Sequence, residues 1–462
     1  MCVARCQYTV SFENIGKSFV IAVSGQYGVC HIHASISDLP ISKMLHRMAS
    51  PVAADILDIG VAVQAADQLC PRGKPTKERP YGYWSREIHL VLPLRNPDLW
   101  FQRQVVNTLA ELLSFLTDDE WSFSFNKRVD GGRPTEQGFQ TGVWPSDLGE
   151  RRAVTLFSGG IDSIFCLQTV LKDNYDDVFP VTITNNGRVA NLRDNVLSTL
   201  DDSLEKRTNV RPVSTRLRLQ HNGISIEDSS RARAAHFILA GVAFAINSSV
   251  TVLNLAENGV GAMSLPMTTD HFGSRATKAS HPKTLALTEE LVSLVCGERF
   301  KIRNLGFQLT KGQMIQRLLG DPHGAALLAK SASCDRKIHR SRTEACGVCS
   351  SCILRYAGFL SANVPDPMRY ATTPSLNRSR ANRGALAIEF QASKLRRLLA
   401  TQSDPRGALL MGYPQLREVV NYLPMDDILA SDPWEIVLPV LSHQVKELAL
   451  MNPLANANMR AA

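Results

Sequence analysis

The sequence has no apolar run long enough to cross a bilayer. Its most apolar stretch, AAHFILAGVAFAI at 234–246, falls well short of the roughly 20 residues that a transmembrane helix needs. The opening MCVARCQYTVSFENIG lacks the charged start, apolar middle and small-residue cleavage site of a signal peptide. These two absences predict a soluble, cytoplasmic chain with no membrane partner and with reduced cysteines. Internal repeats and low-complexity tracts are missing as well. So are the two common nucleotide-loop patterns, GxxxxGK[ST] and GxGxxG. Neither a P-loop NTPase nor a dinucleotide enzyme fits.

What is present is the composition of a folded globular protein, 44% hydrophobic and 20% charged over 462 residues, enough for several domains and a large core. The net charge of +8 suits a nucleotide, a nucleic acid or an acidic protein partner and selects none of them. Residues 1–126 mix β-prone runs such as FVIAVSG with helical patterns near 53–69 and 98–116, and read as an N-terminal α+β domain. In the second pattern Val105, Leu109, Leu112, Leu113 and Leu116 share one face, and WSFSF after it alternates as a strand does. A glycine- and proline-rich stretch, 127–150, reads as a linker. From 151 to 330, short apolar strands alternate with helices: AVTLF, a helix at 163–172, VFPVTIT, a helix at 187–207, a strand near 210–217, a helix at 229–247 and VTVLNLA. That alternation predicts an α/β fold with a doubly wound parallel sheet. Residues 331–362 hold a cysteine cluster and 363–462 read as helical, with a basic group at Arg378, Arg380 and Arg383 that suits a charged surface loop.

The chemistry concentrates in two places. LFSGGIDSIF, 156–165, sits where the first parallel strand passes into its helix, the end of such a sheet at which ligands bind. Gly159 and Gly160 let the backbone approach a ligand, the free N–H groups of the helix start point at an anion, and Ser158 and Ser163 add hydroxyls. Asp162 would repel a bare phosphate, so its task is to hold Mg²⁺ or to orient the loop. A tight turn capped by Asp162 or Ser163 is the plainer alternative. The second place is 333–359, where Cys334 precedes Cys346, Cys349 and Cys352 at CxxCxxC spacing. Four thiolates complete a tetrahedral structural zinc shell; an iron–sulfur cluster with a further ligand, or four free thiols, are the alternatives.

SGGIDS resembles the PP-loop of N-type ATP pyrophosphatases, the adenine nucleotide alpha hydrolase-like (HUP-type) fold, which cleave ATP between the α and β phosphates. Together with CGVCSSCILRYAGF, in which Leu354-Arg355 and Gly358-Phe359 follow the cysteines, and with LTKGQM at 309–314, the chain resembles the 7-cyano-7-deazaguanine synthase (QueC) family over about 151–360. The segment LAENGVGAMSLPMTTDHFGSRATKASHP, 255–282, departs from the housekeeping pattern. With DILDIGVAVQAADQLCPRG and the region 86–125 it is similar to QueC-like proteins of Qat-type anti-phage systems.

The resemblance implies a ligase using ATP, Mg²⁺ and structural Zn²⁺. A carboxylate on 7-carboxy-7-deazaguanine attacks the α phosphorus, pyrophosphate leaves, and ammonia or another amine displaces AMP; with ammonia the amide is then activated a second time and dehydrated to a nitrile. In a defence setting the amine can belong to a partner protein of the same operon, docked by the N-terminal domain. Ser158, Gly159, Gly160, Asp162 and Ser163 would then bind the nucleotide, with Asp162, Ser163 and Lys311 catalytic and Cys334, Cys346, Cys349 and Cys352 on the metal. Lys311 would meet developing phosphate charge, or is an ordinary lysine at a helix start. Glu257, Asn258, Arg275, Lys278 and His281 form a substrate-facing set, with loop capping as the alternative for His281. Two rival readings stand beside this one: a tRNA-modifying enzyme of the same loop class, which leaves a nucleic acid open without favouring it, and a nucleotide-binding scaffold without turnover.

Overall fold

The computed structural model describes residues 6–451 apart from 16–17, 26–27, 38–48, 73–84, 130–146, 184–186, 202–207, 221–226, 228–230, 267–277, 335–343, 377–382, 402 and 426–429. Most of the expected linker, the end of the expected 187–207 helix, Arg275, Arg378 and Arg380 therefore lie outside the described residues, as does the side chain of Arg383.

Among the described residues eleven strands form one sheet: β1 (Cys6–Ile15), β2 (Ser18–Gly25), β3 (Gly28–Ser37), β4 (Arg86–Leu94), β5 (Glu120–Lys127), β6 (Arg152–Leu156), β7 (Asp177–Ile183), β8 (Asn209–Val210), β9 (Val213–Gln220), β10 (Val252–Leu255) and β11 (Lys301–Asn304). Their order is β11-β10-β6-β7-β9-β3-β2-β1-β4-β5, with β8 on β7. The pairs from β11 through β9 are all parallel. Counted in chain order, β6, β7, β9, β10 and β11 are strands 1 to 5, so the parallel half reads 3-2-1-4-5. In that order the winding reverses between strands 1 and 4, and the loops leaving the ends of β6 and β10 diverge to open a crevice.

Helices cover both faces. Val154 of β6 and all seven buried residues of β7 make a dry strand pair of the kind parallel sheets require. Val154 belongs to one apolar cluster with Leu239 and Phe244 of the helix Arg233–Asn247, while Ala153 belongs to a second with Ile164 and Leu167 of the helix Ile161–Leu171. The sheet does not stop at β9: β3 joins it antiparallel, pairing Ile36 with Leu217. One apolar cluster runs from Val10 and Leu90 through Ile56 and Leu239 to Val154 and Leu253. The helical pattern near 98–116 is broken at Phe101 and Gln102 into Pro97–Trp100 and Arg103–Thr117. Among the described residues no helix is long and apolar enough to cross a membrane.

The charged residues of the N-terminal stretches serve the interior. Arg86 is fully buried and bridges Asp67 at 2.6 Å and Asp119 at 2.5 Å; Arg72 meets Asp119 at 2.8 Å and donates to Thr117 O at 3.0 Å. Burial alone would raise the pKa of Asp119, but hydrogen bonding and charge from Arg86, with Arg72 behind, hold it below the ordinary value. Its stabilising share is therefore present above about pH 4 and lost as the pH falls further. Asp119→Ala would remove the carboxylate that Arg72 and Arg86 share in a dry site, leaving Arg86 with Asp67 and Arg72 with Glu227 at 3.9 Å. A loss of about 3–5 kcal/mol is expected in denaturant titration at pH 7, and a loss below 1 kcal/mol would show that water reaches these groups.

Candidate functional site

At the reversal point, the chain leaves β6 through Phe157 and turns at Gly159, whose φ of 80° lies in the left-handed region. A Cβ there would also stand 2.8 Å from Leu192 Cγ, so glycine is required twice over. Gly160 caps the helix Ile161–Leu171 without any side-chain cap bond. The first helical N–H groups thus remain available as donors toward the crevice. Ser163 Oγ donates to Gly160 O at 2.9 Å and lies 3.4 Å from Ser158 Oγ, so both hydroxyls line the same turn.

Asp162 is fixed from two directions. Asn258, in the loop after β10, brings its backbone N–H to Asp162 Oδ1 at 3.2 Å and its side-chain Nδ2 at 3.4 Å. Lys311 Nζ binds the other oxygen, Oδ2, in an ion pair with side chains only 11% and 18% exposed. Burial pulls the Lys311 pKa down, but Asp162 and Glu257 more than reverse this and leave it above the usual lysine value. The ammonium is therefore charged at neutral pH and stands beside the glycine turn. Asn258 Nδ2 also donates to Glu257 Oε1 at 2.7 Å, and Glu257 N–H donates to Asn304 Oδ1 at the end of β11 at 2.9 Å. Three strand ends converge on one carboxylate.

Lys311 owes its place to local sequence. Thr310 and Gln313 form a reciprocal capping box, Gln313 N–H to Thr310 Oγ1 at 3.3 Å and Thr310 N–H to Gln313 Oε1 at 2.9 Å, which starts the helix Lys311–Leu319 at the lysine. Behind that turn runs the helix Ser350–Ser361. Its Gly358 allows a close approach: a Cβ would stand 3.1 Å from Gly312 N and 3.2 Å from Lys311 Cγ, tight enough that the neighbours would have to shift.

The four cysteines meet just before and at the start of this second helix. Their sulfurs all lie within 4.8 Å of one another, with Cys334 to Cys346 at 3.7 Å and Cys346 to Cys352 at 3.9 Å. Four sulfurs about 2.3 Å from a tetrahedral zinc stand about 3.8 Å apart, so the donor set fits that ion. Burial, and after it crowding by the neighbouring sulfurs, pushes the Cys334 thiol up to about 11, and contact with Cys349 together with burial raises Cys352 as well. A divalent cation would remove that penalty. The cluster is tied to the crevice through Arg355, fully buried, which bonds Ser331 Oγ at 2.7 Å and Asp366 at 3.0 Å. The chain between Ser331 and Cys334 then passes Gly160: Ala332 O would stand 3.7 Å from a Cβ there.

Not every member of the expected substrate-facing set arrives. Glu257 and Asn258 do. Lys278 instead bonds Phe115 O at 2.7 Å and Asp118 at 2.9 Å, closing the end of the helix Arg103–Thr117. His281 caps the helix Pro282–Cys296, accepting Lys283 N–H at 3.2 Å, and packs on the Phe115 ring. Burial and the cations of Lys278 and Lys283 push its pKa down to about 3, so it is a neutral cap. A broad concavity of about 840 Å³ lies elsewhere, lined by Gln7, Thr9, His89 and Ser122 among others, away from the turn at Gly159 and from the four cysteines.

No protein-family model matches the chain. A 7-cyano-7-deazaguanine synthase from Ralstonia pickettii (strain 12J) is 28% identical over 239 residues, covering 48% of this chain and 99% of that protein. One from Syntrophobacter fumaroxidans is 26% identical over 250 residues, covering 48% of this chain and 96% of that protein. The protein of that name from Cupriavidus taiwanensis is 35% identical over 111 residues, 21% of this chain and 46% of its own length.

If the cysteines hold zinc, the purified protein contains about one zinc per chain and no visible iron–sulfur absorption, and Cys352→Ser loses most of the metal. A colourless wild type free of zinc and iron, whose melting is unmoved by chelators, would mean four plain thiols.

Proposed function

We propose that this chain is an ATP-dependent ligase that adenylates a carboxylate, 7-carboxy-7-deazaguanine or a related deazapurine, releases pyrophosphate and transfers the acyl group to an amine. The observation that carries this reading is the convergence of the glycine turn, Asn258 and Lys311 on Asp162 at the sheet's reversal point. The names of the relatives supply the substrate class.

The chemical demand is neutralisation of charge as pyrophosphate departs. The uncapped N–H groups that open the helix Ile161–Leu171, with Ser158 and Ser163, supply donors for the outer phosphates, and Lys311 supplies a full positive charge. Asp162 is already engaged by Lys311 and Asn258, which supports the orienting role over direct binding of phosphate. Mg²⁺, when bound with the nucleotide, would neutralise further phosphate charge; Asp162 and Glu257, the carboxylates brought together through Asn258, are the residues that would hold it. The cysteine site has no open position once four sulfurs are bound, so its zinc would hold structure and leave chemistry to the loop. We place the reaction in anti-phage defence, with the acceptor amine on a partner protein, on the resemblance of 255–282 and of the N-terminal stretches to that group.

Incubation with ATP, Mg²⁺ and 7-carboxy-7-deazaguanine should give AMP and pyrophosphate, and both Asp162→Ala and Lys311→Ala should slow this by on the order of 10²-fold. Formation of ADP and phosphate alone would refute the ligase reading. A scaffold, in contrast, would tolerate both substitutions in phage protection.

A further inference from the structure

The first turn of the helix Lys311–Leu319 is gripped by a side chain from 135 residues further on. Glu447, on the helix Trp434–Ala449, is 3% exposed. Its Oε1 accepts from Thr310 Oγ1 and, at 3.1 Å, from Gly312 N–H, the residues on either side of Lys311. The seat is tight, since a Cβ on Gly312 would lie 2.4 Å from that same oxygen. The same helix presses on the other arm of the crevice, where a Cβ on Gly259 would lie 2.8 Å from Val440 Cγ1. One helix therefore backs both Asn258 and Lys311, the two groups that hold Asp162.

A carboxylate at a helix start is favourable in itself. Here, however, Oε2 is buried with no partner among the described residues. Burial pushes the carboxyl up to about 7 against the opposing pull of Thr310, Gly312 and Lys311. The contact is thus an expensive way to stabilise a turn, and what it secures is position. We propose that Glu447 is a positioning residue, which fixes the turn Thr310–Gly312 so that the Lys311 ammonium stands on Asp162 beside the glycine turn. The consequence for catalysis rests on the ligase reading above; the geometric claim does not.

The test uses the full chain as wild type, Glu447→Gln, Glu447→Leu and, as the freed-lysine control, Asp162→Ala. Lys311 labelling by acetic anhydride is followed by peptide mass spectrometry, and kcat and KM for ATP are read from AMP release. Glu447→Gln keeps the accepting oxygen and should stay near wild type in both. Glu447→Leu fills the space without an acceptor. Lys311 should then label several-fold faster, approaching Asp162→Ala, with kcat down on the order of 10- to 100-fold while the melting temperature holds. Should the leucine variant not fold, Glu447→Asp withdraws the carboxylate by one methylene and should also speed labelling. Labelling as slow as wild type in every folded Leu or Asp variant overturns the proposal. Labelling as expected without AMP from any variant, wild type included, upholds the positioning role and removes the ligase reading instead.

Discussion

The ion pair between Asp162 and Lys311 spans 149 residues of sequence and joins the glycine turn after β6 to the helix that follows β11. A turn built on Ser-Gly-Gly has little rigidity of its own. What gives it one shape is a carboxylate with both oxygens engaged, one by the lysine and one by Asn258. With side chains only 11% and 18% exposed, neither charge of the pair is well solvated, so each depends on the other. The arrangement also fixes where positive charge stands before any anion arrives, and preorganised charge of that kind is what phosphoryl chemistry demands.

Around this pair the rest of the chain acts as bracing. The parallel order places the ends of β6 and β10 at the point where the connections diverge, so their loops can meet across the crevice. The helix after the cysteines comes close enough, at Gly358, to touch Lys311 and Gly312, and its Arg355 ties the segment before Cys334 to Asp366. The cysteine cluster and the crevice are thus connected by packing. The N-terminal strands extend the sheet through β3 and β9, and their acids and bases are spent on one another in the interior.

Much of this was legible because it is local. Short apolar runs such as AVTLF and VFPVTIT give β6 and β7, and cysteine spacing alone brings Cys334, Cys346, Cys349 and Cys352 into one group. SGGIDS marks the turn, but the helix begins at Ile161, inside the motif and two residues before the expected 163, because Gly160 already serves as its cap. What escaped depends on contacts that leave no local mark. The stretch from Lys278 to His281 carries attractive functional groups, yet the nearby end of the helix Arg103–Thr117 offers Phe115 O and Asp118, and those partners claim them. The pairing of β3 with β9 joins strands far apart in sequence, with nothing in either to announce the other. Glu447 is one of two acids in an amphipathic helix, indistinguishable from a surface residue until Thr310 and Gly312 are placed against it. The capping box of Thr310 and Gln313, by contrast, is local: its T-x-x-Q spacing could have been read directly and bears on the helix-start alternative for Lys311.

The most direct test of the central claim is a crystal structure with Mg²⁺ and an ATP analogue that has a methylene bridge between the α and β phosphorus atoms. The account predicts the two outer phosphates over the backbone N–H groups of residues 159–163, with the Lys311 ammonium facing them and Asn258 still on Asp162. A nucleotide seated anywhere else, with the turn at Gly159 empty, would contradict it.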